Sequence, residues 1–319
     1  MLPQDNNSTI VGILKSCEFN IKENISNHGI LKDIKFVSLG YAKNVNSYPH
    51  LLIIPVNERI KRYYSSGICD VIRTIRFSIT TSKTDLNSAF GQSTGLINSL
   101  KNLFSKRGDN SFWKLKSLIT GKVIVLDTLI QDIKNPEPMS YNGLTYSKSF
   151  VDIDFLTRIR NDELLQNYSK GLVETNSKEL SKIINNILKN YKDSLLNEVR
   201  SFKYGVTSPY KNINYPLLST TIGNASIEPE FVGLNTYNSN ITIFIFNSVF
   251  GNKFSLFQNL DLAHKVRQIL FANKYVLNRC FDYQLGNITY GVIEDIENNG
   301  SLTYATQVDI NTKSYEQIY

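Results

Sequence analysis

Two aspartates one residue apart, Asp152 and Asp154, are the side chains in this sequence with the clearest spacing for chemistry. Alternate residues of a strand share a face. With Asp132 upstream, the pair therefore has the geometry that a two-carboxylate cation site uses. A nuclease-like arrangement also needs a lysine at a fixed spacing, and none completes the pattern. The matching stretch later in the chain keeps Asp309 but carries Asn311. The sequence thus favours reading these carboxylates as solvated strand residues.

Other reactive groups are sparse. His28, His50 and His264 are scattered, and His264 falls within a helical stripe, where it is expected as a surface or rim residue. Cys17, Cys69 and Cys280 are an odd number without a CxxC pair, which argues against a disulfide framework or thiolate zinc site and for a reducing compartment. No GxGxxG after a strand, GxxxxGK[ST], GxSxG, HExxH or EF-hand loop occurs. The expectation is of a protein that is not an enzyme, with no catalytic, cofactor-binding or metal-binding residues and no cofactor.

Charge is uneven. Residues 1–160 carry 21 Lys and Arg against 13 Asp and Glu, whereas residues 161–319 carry 14 against 15. Cations cluster at Arg59, Lys61 and Arg62, and again at Lys101, Lys106, Arg107, Lys114, Lys116 and Lys122. Such clusters meet phosphate or an acidic protein surface, or form a solvated face. No nucleic-acid module signature accompanies them.

Any such groups must be positioned by a framework, and the framework is written twice. Tyr48-Pro49 and Tyr215-Pro216 each open a strand-like run. A second strand follows each, Ile75, Phe77, Ile79 and then Ile243, Ile245. Helical stripes come next, Leu96, Leu100, Leu103, Phe104 and Leu262, Val266, Ile269, Leu270. Leu129–Lys134 answers to Val292–Glu297, and both copies close on Val-Asp-Ile, at 151–153 and 308–310. Landmarks in fixed order at nearly fixed spacing indicate an internal repeat. A chain of 319 residues suits two domains. The boundaries expected are 1–168 and 169–319, the second beginning with a long helix at 177–202.

Local patterning fills in the copies. A short helix is expected near Thr9–Ser16, and strands over Ile34–Gly40 and Leu51–Val56. In the next strand Val71, Ile75, Phe77 and Ile79 share one face, and Thr74, Arg76 and Ser78 the other. The Ser-, Thr- and Gly-rich stretch 80–95 reads as a loop, followed by a helix over Gly95–Ser105. Strands are then expected over Val123–Ile133 and Ser149–Ile159. From Ser177 to Phe202 apolar residues recur every three or four positions over about seven turns, with Asn176 as N-cap. In the last hairpin, 287–296 and 304–310, Asn298-Asn299-Gly300 supplies the turn. The polar N-terminus has neither signal nor transit character, and no apolar run approaches the ~18–20 residues of a membrane span. The fold class expected is α+β: two tandem copies of a mixed, largely antiparallel sheet module with helices packed on the sheet.

The Tyr48–Pro55 strand opening, the hairpin, the helix on the sheet and the final strand pair resemble the tail terminator and tail-completion (head–tail connector) family of tailed bacteriophages, here as a tandem duplication. The resemblance covers residues 30–160 and 176–319. It implies a structural virion protein forming a ring at the portal/connector–tail junction, enclosing the DNA channel and joining neighbouring rings. It implies a homo-oligomeric ring of roughly 6 or 12 subunits, with portal, connector and tail proteins as partners, non-specific contact with packaged DNA, and no membrane. Localisation would be the virion, after assembly in the host cytoplasm. Arg59, Lys61, Arg62, Arg73 and Arg76 would then face the channel or a neighbouring subunit. The alternatives are a nucleic-acid-binding accessory protein and another tail or baseplate component.

Overall fold

The computed structural model describes residues 10–27, 29–41, 47–63, 68–105, 115–116, 118, 121–136, 138–141, 143–160, 177–205, 214–231, 234–248, 253–273, 282–295 and 301–317. Asn176, the 298–300 turn, His28, Cys280, Lys106, Arg107, Lys114 and the 168/169 boundary lie outside these residues. The chain divides into two units, Met1–Arg160 and Asn161–Tyr319. No helix among the described residues is long and apolar enough to cross a membrane.

The first module runs α1 (Ile10–Ser26), β1 (Phe36–Leu39), β2 (His50–Tyr63), β3 (Ile68–Lys83), α2 (Leu86–Phe104), β4 (Asp127–Lys134), β5 (Met139–Tyr141) and β6 (Leu144–Arg160). Its strands lie in the order β4-β6-β3-β2, with β1 parallel beside the start of β2 and β5 hairpinned onto β6. The second module runs α3 (Ser177–Asn190), β7 (Ser201–Tyr204), β8 (Leu217–Phe231), β9 (Leu234–Ser248), α4 (Lys253–Ala272), β10 (Asp282–Asp295) and β11 (Ser301–Gln317). Its order is β10-β11-β9-β8-β7, with β7 parallel to β8 and the other pairs antiparallel. Strand for strand, the second order is that of the first. The fold is α+β, a mixed sheet module built twice. β5 has no counterpart among the described residues; it uses the extra residues of the first copy after Lys134.

The repetition reaches single hydrogen bonds. Both Tyr-Pro bonds are cis. Lys35 donates its backbone N–H to the Pro49 carbonyl at 2.8 Å, and Arg200 donates to that of Pro216 at 2.9 Å. Gly40 and Gly205, at φ 75° and 92°, end the two parallel strands and donate to Ile53 and Thr220. Positive φ at these turns is open to glycine without a Cβ clash.

Each core forms where period-two strand faces meet helical stripes. In the first module Leu51, Ile53, Ile75, Phe77, Ile79, Val151, Ile153 and Phe155 are buried on one sheet face. Phe104 of α2 lies against Phe77 and Phe155, with ring centroids 5.1 and 5.8 Å apart. Leu96, Ile97 and Leu100 complete the helix face. In the second module Ile241, Ile243, Ile245, Val308 and Ile310 meet Leu260, Val266, Ile269 and Leu270 of α4.

Three expectations require correction. The helix at 177–202 ends at Asn190; residues 191–198 are turns and 201–204 form β7. Bonds such as Tyr191 N–H to Leu188 O and Val199 N–H to Leu196 O tighten this segment. The apolar spacing persists because turns of about three residues still return Leu196 and Val199 to the core, at 0% and 1% exposure. Leu195, which the spacing from Ser177 to Phe202 would bury with Ile184, Ile187 and Leu188, is only half-buried, since the phase slips where the helix stops. Second, α1 is longer than expected and runs to Ser26. Third, the 80–95 loop is the end of β3 and the start of α2. Asp85 caps the helix by accepting the Ser88 N–H at 2.8 Å. The small residues allow close approach to the sheet: Ser93 Oγ lies 3.0 Å from Ser147 Oγ and accepts from Ser149 Oγ at 2.9 Å, and Thr81 Oγ1 donates to the Ala89 carbonyl.

Two glycine substitutions should separate these roles. A Cβ on Gly95, on the exposed side of α2, meets nothing within 4 Å, so Gly95→Ala should stabilise by about 0.5–1 kcal/mol. Gly205→Ala also meets no atom but holds φ at 92°, and should destabilise by about 1–2 kcal/mol. Urea denaturation of both variants checks the opposite signs.

Candidate functional site

The cations singled out from the sequence lie on two paired strands, Arg59, Lys61 and Arg62 on β2 and Arg73 and Arg76 on β3. The structure separates them. Arg73 falls in step with Val71, Ile75 and Phe77, on the core face, and is completely buried. Its Nε donates to Glu58 Oε2 at 2.7 Å, and Nη1 donates to Thr157 Oγ1. Glu58 is directly opposite it in register. Arg73 is therefore unable to serve as a channel or inter-subunit contact. The alternation in β3 puts Arg73 on the core face by parity, whereas its charge alone suggests the surface.

Arg76 points to the opposite face. Its Nε and Nη2 donate to the two carboxylate oxygens of Asp152, both at 2.8 Å, and the guanidinium carbon sits 4.3 Å from the centre of the Phe150 ring. The bond to Asp152 raises the Arg76 pKa against the opposing effect of burial. Arg59 is 53% exposed and reaches Asp154 at 3.4 Å. Lys61 and Arg62 are exposed. On the next strand, Arg158 donates to Asp70 at 2.8 and 3.2 Å.

Asp152 and Asp154 are not solvated, contrary to the sequence reading: they are 8% and 5% exposed. Asp154 accepts from Thr74 Oγ1 at 2.6 Å, from Gln131 Nε2 at 3.3 Å and from Arg59. They face arginine and threonine across the sheet because β3 and β6 register Arg76 against Asp152 and Thr74 against Asp154. Asp132 is exposed. Among the described residues, no three His, Cys, Asp or Glu side chains converge as a metal ion requires.

One further row on this face was missed. His50 of β2 is opposite Thr80 of β3, which is opposite Lys148 of β6. His50 is 7% exposed, and its Nδ1 is buried without a hydrogen-bond partner; so is Ser78 Oγ, two residues from Thr80 on the same face. Tyr48 flanks the row, its ring 5.0 Å from His50 and 5.5 Å from Tyr146. Burial, and secondarily the Lys148 charge, lowers the His50 pKa to about 4. Lys148 keeps solvent contact as a residue, yet its ammonium is partly desolvated, and this together with Arg76 lowers its pKa. Tyr48 is shifted up by burial and then by Tyr146. A histidine directly after the Tyr-Pro, where the second copy has Leu217, was the sequence signal.

No protein family matches the chain, and no curated protein does. Among solved structures, a Capitella teleta AChBP in complex with lobeline aligns over 95% of this chain and 98% of its own, at 5% identity and TM-score 0.16.

The Arg73–Glu58 pair should behave as a unit. Arg73→Met removes the ion pair of buried Glu58 and should cost about 3–5 kcal/mol, whereas Arg73→Met with Glu58→Leu should recover most of that. Arg59→Ala, at an exposed pair, should stay within about 1 kcal/mol. A double-mutant cycle in urea measures all three.

His50 predicts a pH dependence. Its folded pKa is depressed, so its stabilising contribution is complete above the unfolded value near 6.5 and is lost as pH falls towards 4. The loss should reach up to about 3 kcal/mol. Unfolding free energies between pH 7 and 4 should fall more steeply for the native chain than for His50→Leu.

Proposed function

We propose that this chain is a structural, non-enzymatic virion protein of a tailed bacteriophage, forming a ring at the portal/connector–tail junction around the DNA channel. One observation carries the reading. The order helix, short parallel strand, Tyr-Pro-initiated strand, hairpin partner, helix on the sheet and final strand pair is built twice. That order resembles the tail terminator and tail-completion proteins. Two strand edges support joining between copies. In the first module β4 ends the sheet; in the second, β8 beyond Thr220 has no outer neighbour among the described residues. Unlike edges that join head to tail close into a ring when the rotation between copies closes. Arg59, Arg73, Arg76 and Arg158 are each engaged by a carboxylate of the same sheet, which makes these particular arginines less available to phosphate and so disfavours a nucleic-acid-binding accessory protein, although the surplus positive charge is unchanged by the pairs.

Native mass spectrometry and negative-stain imaging of the purified chain test the proposal. The expected outcome is a closed ring of defined copy number. Charge reversal at Arg59, Lys61 and Arg62 should leave a folded monomer that no longer assembles. A native chain that stays monomeric at micromolar concentration and binds DNA in a salt-dependent manner would overturn the ring in favour of the accessory protein.

A further inference from the structure

The two modules place different side chains on the same sheet positions. His50 and Leu217 each follow the cis proline directly. Opposite them stand Thr80 and Phe246, and next Lys148 and Ala305. One row in, Ser78 and Phe150 of the first module replace Phe244 and Gln307 of the second. The fold thus closes this corner with apolar residues in the second module, where Leu217 and Phe246 are 0% and 5% exposed and Phe246 stacks on Phe244 at 5.7 Å. The fold therefore does not require the polarity of the first module's corner. That polarity carries a cost, because His50 Nδ1 and Ser78 Oγ are buried without partners.

The replacement also removes a ring from the row. Thr80 is short where Phe246 carries a ring, and it lies between His50 and Lys148, whose strands are two sheet spacings apart, roughly 9–10 Å. Four groups able to donate lie in or beside this row: His50, Ser78, Thr80 and the Lys148 ammonium. The other charges near the row are the Arg76–Asp152 pair, which is internally compensated at 2.8 Å, and Lys134, registered against Phe150 on β4; the phenols nearby are Tyr48, Tyr146 and Tyr41.

We propose that the His50–Thr80–Lys148 row of the first module is a binding site for one small tetrahedral oxyanion of the phosphate or sulfate class. Lys148 supplies the charge at the solvent-facing end. The hydroxyls of Ser78 and Thr80 and the imidazole of His50 supply the inner donors. Burial of His50 and Ser78 restricts the site to a free ion and excludes the phosphates of a nucleic-acid strand. A bound anion also favours protonated His50, so by linkage it binds more tightly at lower pH.

Sulfate is the probe, because its charge is constant over the pH range used. Calorimetric titration of the full chain should give saturable one-to-one binding, tighter at pH 5 than at pH 7.5. Lys148→Ala should weaken it at least tenfold. His50→Leu, which installs the residue of the second module, should weaken it and remove the pH dependence. Lys203→Ala, an exposed cation of β7 in the second module, should change nothing. If His50→Leu does not fold, the His50 imidazole resonances of the native chain serve instead, and their titration midpoint should rise on adding sulfate. A single-stranded oligonucleotide at equal phosphate concentration should not displace sulfate; displacement would overturn the free-ion assignment. Absence of saturable binding, unchanged binding in Lys148→Ala, or a His50 midpoint indifferent to sulfate would each overturn the site.

Discussion

Each module depends on one long central strand hydrogen-bonded along both edges. β3 is held by β2 on one side and β6 on the other, and β9 by β8 and β11. A register shift of a single residue would move every side chain to the opposite face. In the first module it would carry Ile75 and Phe77 off the helices and put Arg76 beneath them. Burial of the apolar parity therefore fixes the rows that cross the sheet. Those rows decide which arginine meets which carboxylate. The ion pairs follow from the register and do not specify it.

With the same rows imposed on both modules, their side chains record two solutions to one geometry. Arg76 against Asp152 in the first becomes Thr242 against Asp309 in the second, where Thr242 Oγ1 donates at 3.0 Å. Arg73, buried beside Glu58, has its counterpart in Ser239, which lies 2.7 Å from Thr312. The excess positive charge of residues 1–160 thus includes arginines that are internal to the fold as well as those on its surface. Among the described residues of this half, the buried carboxylates Glu58, Asp70, Asp152 and Asp154 outnumber the one buried arginine, so these pairs leave its net positive charge at the surface.

Much of the architecture was legible because it rests on strong periodic signals. The Tyr-Pro strand openings, the alternating faces of β3 and the helical stripe of α4 follow from strand and helix geometry. The failures fall where two patterns are locally alike. From Tyr191 to Val199, successive tight turns keep an apolar spacing that helix would also produce. The repeat held the answer: Leu31, Ile34 and Gly40 recur as Leu196, Val199 and Gly205, so the strand expected at Ile34–Gly40 required a partner at 201–204. The site was less legible than the fold. Burial of Asp152 and Asp154 depends on strands far apart in sequence, and the open row at Thr80 is recognisable only once Phe246 is known to occupy the same place.

The first module's terminal strand has a consequence for how the protein behaves at high concentration. β4 pairs with β6 through Asp127–Ile130, breaks register, and resumes at Ile133 and Lys134. Leu129 is 65% exposed beside this interruption, and Asp132 and Lys134 are exposed within the strand. An uninterrupted edge with an apolar residue is a template for cross-β growth. The irregularity limits any stretch of continuous edge to a few residues, and the charges disfavour stacking of identical strands. The edge is thereby suited to a single shape-matched neighbour and poorly suited to indefinite fibrillar addition.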